Sequence, residues 1–402
     1  MNMSFDYTDS IAKGVSSFLN SRSPSKPSAP PEFDFAIAHL DPDSIPLEAL
    51  HEALGKALSD YGGKDLAFYP HAQGFPALRE FVANKLKKSR GMDVTPDQIV
   101  LTSGSGQAIG LFTQLFCDPG DILITEEFTY SGTLTIMDRF GANIVGIPLD
   151  EQGMRPDLLE QTIVDLHGQG KSPKFIYTIP TFQNPVGTDM GPGRRQEILA
   201  VAQKHGVPIY EDDCYADLRF SGDSSPAISS YDDQGMTLYS GSFSKILAPG
   251  VRLGWLAAPP DVVSHINQLH YGLPTAQFSA WATYYYLRDH MESHIEELCN
   301  IFKGKRDTML GAIGEAMGSR VVSSQPDGGL FLWLRMRDDV NTTTLLAKAR
   351  ERGVTYATGQ SFSANRVENN YLRLAFGHQT HQEIREGIGV LGSVFEENGA
   401  LS

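Results

Sequence analysis

Between residues 98 and 258 the chain alternates short apolar runs with longer stretches of helical periodicity. The runs at 98–102, 121–125, 143–147, 174–179, 208–212, 236–240 and 253–258 are too short and too continuously apolar for amphipathic helices, and read as buried strands. Residues 105–116, 129–140 and 193–205 space their apolar positions by three and four, as helices with one face on a sheet do. Buried strands separated by such helices predict an α/β domain around a largely parallel sheet. Upstream, the pattern predicts a short helix around 8–19, a Ser/Pro-rich arm over 21–32, and helices over 45–58 and 77–88. Beyond residue 261 it turns helical, with a long segment around 290–317. Strands at 329–336, 354–356 and 370–376 and a helix at 342–352 then predict a smaller α+β domain. The expected division is an arm over 1–45, a large domain over 46–289 and a small domain over 290–402.

Length changes this picture little: 402 residues suit a large domain plus a smaller one. The formal charge of −15 argues against binding a nucleic-acid backbone, though not against a small anion in a locally basic pocket. Cys117, Cys214 and Cys299 are widely spaced and form no metal-ligand pattern with histidine, so no metal is expected. They read as reduced thiols of a cytoplasmic protein. The N-terminus lacks the basic and apolar regions of a secretory signal, and no apolar run reaches the length of a membrane span.

Chemistry concentrates where such a sheet would end. Residues 240–254, SGSFSKILAPGVRLG, set Lys245 among small hydroxyl residues, with Arg252 seven positions on. Lysine condenses with an aldehyde to a Schiff base when burial or nearby cations keep part of it unprotonated. The hydroxyls of Ser242 and Ser244 and a guanidinium fork suit a phosphate dianion. An aldehyde and a phosphate together describe pyridoxal 5′-phosphate (PLP). The competing explanation is a solvated lysine in a Gly/Ser loop.

Residues 208–215, PIYEDDCY, place Glu211 and Asp213 on one strand face and Asp212 on the other. At the end of a parallel strand, Asp212 is placed to pair with a pyridinium nitrogen and Tyr215 to reach the ring's 3′ oxygen. Three surface acids at a strand end would give the same pattern. In TIPTFQNPVG (178–187), Asn184 can donate to that oxygen or simply make an Asn-Pro turn. In LTSGSGQAIGL (101–111), the backbone N–H groups of Ser105, Gly106 and Gln107 open a helix and form an anion site, a weak signal alone. Tyr130 follows a strand, where its ring stacks on a flat heterocycle or fills the core. Arg373 alternates with apolar residues in YLRL, so a bound carboxylate or an internal salt bridge is expected beside it.

Taken together and in order, YPHAQG, TSGSG, FTYSGTL, TIPTFQNPVG, EDDCY, SGSFSKILAPGVRLGW, GGLFLW, TGQSF and YLRLAFG resemble the fold-type I PLP-dependent aminotransferases of class I/II. The branch is that of 2-aminoadipate and kynurenine aminotransferases and MocR-type effector domains, and the resemblance runs from about Ile45 to the C-terminus. It implies a mostly parallel seven-stranded sheet in the large domain and a smaller α+β domain. It also implies that an amino group passes from an L-amino acid to a 2-oxo acid. Lys245 would carry the cofactor and move the proton. Asp212 would hold the pyridine nitrogen, and Tyr215 and Asn184 the 3′ oxygen. Tyr130 would stack on the ring, while Ser105, Gly106, Ser242, Ser244 and Arg252 would bind the phosphate. Arg373 would grip the substrate carboxylate. Tyr69 would reach the phosphate of a neighbouring subunit, which makes a homodimer.

Two departures stand out. Residues 36–46, AIAHLDPDSIP, stand where glycines usually precede the proline stretch; the bulk of Ile37 and Ala38 narrows the space beside the substrate, and His39 adds a proton donor or acceptor. Gly106 replaces a common glutamine. The altered segment leaves room for another outcome on the same cofactor: elimination, decarboxylation, cyclisation or oxidative deamination. A ligand-sensing regulatory domain is the third reading, but the stretch before Ile45 is too short for the helix-turn-helix such regulators carry.

Overall fold

A computed structural model of the protein describes residues 11–20, 30–367 and 369–402. Most of the expected Ser/Pro arm and the start of the first expected helix lie outside the described residues. Seven strands form one sheet in the order Ile99–Thr102, Gly254–Ala257, Thr237–Ser242, Ile209–Asp212, Pro173–Thr178, Ile122–Glu126 and Asn143–Ile147. Gly254–Ala257 alone runs antiparallel to its neighbours. The other pairings are parallel. The expected strands are all present, within a few residues of their bounds.

Alternate residues of these strands feed different cores, as a period of two requires. Ile99 and Leu101 pack with Trp255 and Leu253 in one core, while Val100 packs with Ile109 and Phe112 of helix Ser105–Phe116 in another. Ile124, Ile176 and Ile209 meet Ile163 and Ile198, from helices Pro156–Gly168 and Pro192–His205. Covering both faces leaves the carboxyl ends of the parallel strands as the place where irregular chain gathers. There lie the turns after Thr102, Glu126, Thr178, Asp212 and Ser242.

The rest of the chain departs from expectation in several places, the unexpected C-terminal helix His381–Glu397 and strand Val322–Ser323 among them. The long helix begins at Gln277 and runs unbroken to Met317, about 60 Å at 1.5 Å per residue, so residue 290 lies inside it. It packs on Leu47–Asp60 and on the C-terminal helix His381–Glu397, joining the two parts of the molecule. Val354–Thr355 does not join the small sheet; it pairs in parallel with Phe33–Asp34 and sews the N-terminal segment to the C-terminal part. The small antiparallel sheet takes Ala357–Thr358 instead, beside Tyr371–Ala375, Phe331–Arg335 and Val322–Ser323. Both strands are two residues long, too short for their own pattern to choose a partner.

Candidate active site

The strand-end turns and the segment 36–39 enclose a cleft of about 480 Å³, within the range of small-molecule sites. It is lined by Ala38, His39, Ser105, Gly106, Tyr130, Asn184, Asp212, Tyr215, Ser242, Ser244, Lys245, Arg252 and Arg373, thirteen of the positions singled out above. Two others are elsewhere. Tyr69 is 95% exposed, outside the cleft. Gln107 is engaged in holding the turn: its N–H donates to the Gly104 carbonyl at 3.1 Å and its side-chain oxygen accepts from the Ser103 N–H at 2.6 Å. Gln107 is therefore removed from the anion-binding set. A helix N-terminus offers free N–H groups only where the turn itself does not claim them.

Lys245 follows strand Thr237–Ser242, and its Nζ donates to the Ala38 carbonyl at 2.7 Å. Burial, with help from the Arg373 and Arg252 charges, brings its ammonium down to about 8. A lysine whose ammonium is destabilised by burial and by two guanidinium charges is partly unprotonated near pH 8 and can act there as a nucleophile, unlike a solvated loop residue.

The three acids after Tyr210 are all buried, and they divide as the strand period requires. Asp213 meets Arg90 at 2.5 Å and Glu211 meets Arg195 at 3.5 Å, on the side away from the cleft. Burial and the Asp213 charge push Glu211 up to about 7. Desolvation opposes ionisation of Asp213 as well, but Arg90 and Arg195 hold it below the usual carboxylate range. Asp212 faces the cleft, accepting from Tyr177 Oη at 2.7 Å and Cys214 Sγ at 2.9 Å. Burial raises its carboxyl, and those two donors oppose the rise.

The turn Ser103–Gly106 is shaped by two glycines. A Cβ on Gly104 (φ 80°) would lie 2.5 Å from Arg252 Nη2, and one on Gly254 would lie 2.8 Å from the Ser105 nitrogen. Arg252 itself sits in the left-handed region (φ 50°), and its Nη2 donates to the Ser103 carbonyl at 3.0 Å. The fork is thereby pinned against the helix N-terminus. Gly104→Ala is expected to cost about 1–3 kcal/mol from backbone strain alone, because φ 80° and ψ 167° lie in a region open essentially to glycine. It should also push the Arg252 fork aside, so that the variant melts lower and retains less cofactor after dialysis. Calorimetry and the absorbance of bound cofactor check both effects.

Tyr130 caps helix Ser131–Arg139, with its ring lying over Gly132, where a Cβ would come within 2.5 Å of it. Glu126, which the sequence reading passed over, ties this wall together. Fully buried, it accepts from Thr178 Oγ1 at 2.6 Å, Ile179 N at 2.8 Å and Thr129 Oγ1 at 3.0 Å. An acid closing a continuously apolar strand was the only signal for it.

Arg373 is 5% exposed on strand Tyr371–Ala375, with the rings of Phe331 and Phe362 4.5 and 4.7 Å from its guanidinium carbon. Nη1 donates to Asn184 Oδ1 at 2.7 Å and Nη2 to the Ala36 carbonyl at 2.6 Å, while Nε is buried without a partner. Among the described residues no carboxylate lies within ion-pair distance, so the internal salt bridge is absent. Burial brings the guanidinium down to about 10. A buried cation lacking an anion suits an incoming carboxylate.

These residues fit PLP on their own chemistry: a nucleophilic lysine, a buried carboxylate across the cleft, a glycine-shaped turn bearing a guanidinium, and an unpaired arginine at the side. The chain belongs to the family described as aminotransferase class I and II, whose model matches residues 40–391, and it is a PLP-dependent aminotransferase. It is 36% identical over 359 residues to aromatic-amino-acid aminotransferase 1 of Thermococcus litoralis, covering 89% of this chain and 86% of that one. Pyrococcus horikoshii kynurenine aminotransferase superposes with a TM-score of 0.87 at 35% identity over 91% of each chain. A multiple substrate aminotransferase from Thermococcus profundus gives 0.89 at 30% identity, over 98% and 99% of the two chains. The expected fold class, cofactor and reaction class therefore hold. No helix among the described residues is long and apolar enough to cross a membrane.

Proposed function

We propose that the protein takes the α-amino group from L-amino acids with uncharged aromatic or large apolar side chains. The observation that carries this reading is the inventory of cations in the cleft. Lys245, Arg252 and Arg373 are the lysines and arginines that line it among the described residues. Arg252 is pinned to the Ser103 turn and Lys245 Nζ donates to the Ala38 carbonyl, which leaves Arg373 for one substrate carboxylate. A second carboxylate would meet Ile37, Ala38, Ile179 and His39, and burial and the His378 charge lower the His39 imidazole from its ordinary value. Relatives named for aromatic amino acids and kynurenine support the same choice.

Bound PLP supplies an electron sink for the charge that develops at the substrate's α-carbon. The chain's residues do the rest. Lys245 Nζ is the base that moves the α-proton. Asp212 holds the pyridine nitrogen, and Tyr215 and the Asn184 amide hold the 3′ oxygen; Asn184 Oδ1 is already engaged by Arg373, which turns its NH₂ elsewhere. Tyr130 covers the ring face. Ser105, Gly106, Ser242, Ser244 and Arg252 take the phosphate. Arg373 orients the α-carboxylate between two phenyl rings that keep water away.

The working unit is a homodimer in the cytoplasm. Leu66, Phe68, Tyr69, Tyr271 and Leu273 are exposed side chains of the kind a second copy would cover, and Tyr69 is then offered to the partner's phosphate. The three cysteines are free thiols, as a reducing compartment favours.

The test is a donor screen on the holoenzyme, following loss of the bound cofactor's visible absorbance. Phenylalanine and tyrosine should react at least about tenfold faster than aspartate or 2-aminoadipate, whose distal charge would be buried unpaired. A preference for the dicarboxylic donors would overturn the reading. In cofactor-free protein, borohydride trapping of PLP on Lys245 should rise with pH around a midpoint of about 8, well under the ordinary lysine value of 10.5. A midpoint above 10 would show that the cleft does not desolvate the amine.

A further inference from the structure

We propose that Cys214 and Tyr177 are positioning residues that clamp the two oxygens of Asp212 from opposite sides and hold that carboxylate, ionised, toward the pyridine nitrogen. This rests on the assignment of Asp212 made above. Neither residue belongs to the set read from the sequence.

The clamp follows from strand geometry. Pro173–Thr178 lies beside Ile209–Asp212 with Tyr177 opposite Tyr210, and Tyr210 shares a face with Asp212. The Tyr177 ring stacks on Tyr210 at 5.8 Å and 19°, which aims its hydroxyl along the sheet at Asp212 Oδ2, 2.7 Å away. Past the strand end the chain turns, so that Cys214 Sγ comes back to Oδ1 at 2.9 Å. Each side of the clamp is anchored in a different wall. Tyr177 Oη accepts from Thr133 Oγ1 at 3.1 Å, in the first turn of the helix that Tyr130 caps. Cys214 lines the cleft together with Ser105, in the phosphate turn. The carboxylate is thus registered against both the ring-face wall and the phosphate wall.

The energetic case concerns a fully buried acid. Burial disfavours the carboxylate, and the Cys214 and Tyr177 hydrogen bonds are the leading opposing contributions. Burial pushes the Cys214 thiol well up, so it stays protonated and acts as a hydrogen-bond donor, not as a nucleophile. Losing either donor leaves an oxygen with less compensation, and the acid takes up a proton more readily. A protonated Asp212 no longer attracts a pyridinium.

The experiment compares holoenzymes of wild type, Cys214→Ala, Cys214→Ser, Tyr177→Phe and Asp212→Asn. The readouts are the cofactor dissociation rate and the pH at which the bound cofactor's visible absorbance changes. Cys214→Ala and Tyr177→Phe should each speed release about 10- to 150-fold, the range for one hydrogen bond to a charged group. Both should shift the absorbance midpoint in the same direction, and their combination should be non-additive because they share one acceptor. Cys214→Ser keeps a donor and should stay within about twofold of wild type. Tyr177→Phe removes one oxygen and keeps the ring, so it tests the clamp without a packing defect. Wild-type release and spectra in both Cys214→Ala and Tyr177→Phe, with Asp212→Asn losing cofactor, would overturn the clamp alone. Wild-type behaviour of Asp212→Asn would overturn the assignment on which the clamp rests.

Discussion

Lys245→Ala is expected to fold, to take up cofactor weakly and to lose transamination by about 10²–10⁴-fold or more, the range ascribed to a positioned acid–base group. Substrate affinity should change far less, because the α-carboxylate is held by Arg373 on another strand. The same variant has a stability signature that separates this lysine from a surface one. In the cofactor-free fold Lys245 titrates near 8, against 10.5 for the ordinary side chain. Below about 8 both folded and unfolded chains carry the proton, and the fold bears the full penalty of a buried ammonium. Between about 8 and 10.5 the unfolded chain binds more protons than the folded one, so wild-type stability rises with pH across that window. Lys245→Ala should lack the rise. Denaturant unfolding of cofactor-free protein at several pH values measures it, and parallel curves for the two proteins would contradict the buried-amine account.

Arg373→Met is expected to lower kcat/KM for every amino donor by about 10²–10³-fold, since a buried charge pair to the substrate is lost. The thermal midpoint of the cofactor-free protein should change little. The guanidinium makes two hydrogen bonds, but it carries the desolvation cost of a cation with no carboxylate beside it among the described residues. Removing it therefore exchanges one modest loss for one modest relief. Arg373→Lys should not restore activity, because a single ammonium cannot reproduce a planar fork that engages Asn184, Ala36 and a carboxylate together. Steady-state kinetics with calorimetry tests both halves. A large drop in stability without a loss of kcat/KM would mean that Arg373 serves the fold and not the substrate.

Much of the architecture was legible because its signals are local. A strand buried on both faces must be continuously apolar, so all seven strands of the large sheet could be marked. The alternation of side chains along a strand separated Asp212 from Glu211 and Asp213 before any contact was known. Elements of two residues carry no such period, which is why the pattern at 354–356 does not reveal that Val354–Thr355 pairs with Phe33–Asp34. The start of the long helix was missed for a related reason. Its first turns contain Tyr284, Tyr285 and Tyr286, which pack against different neighbours and do not trace one apolar stripe.

The site divides along the same line. Residue types that chemistry restricts, a lysine for an aldehyde or an arginine for a carboxylate, declare themselves in the chain. Residues that act by proximity do not: Tyr177 reads as one more strand aromatic and Glu126 as one more strand-end acid. The amino-acid order alone determined the sheet, the side of it that binds, and the identity of the reacting groups, since each follows from periodicity or from what a functional group is able to do. Only the folded chain decided that Arg373 has no carboxylate partner among the described residues, that Gln107 is consumed by its own turn, and that a tyrosine and a thiol hold Asp212. Those outcomes depend on which distant segments share a few ångströms of space, and no local pattern encodes that.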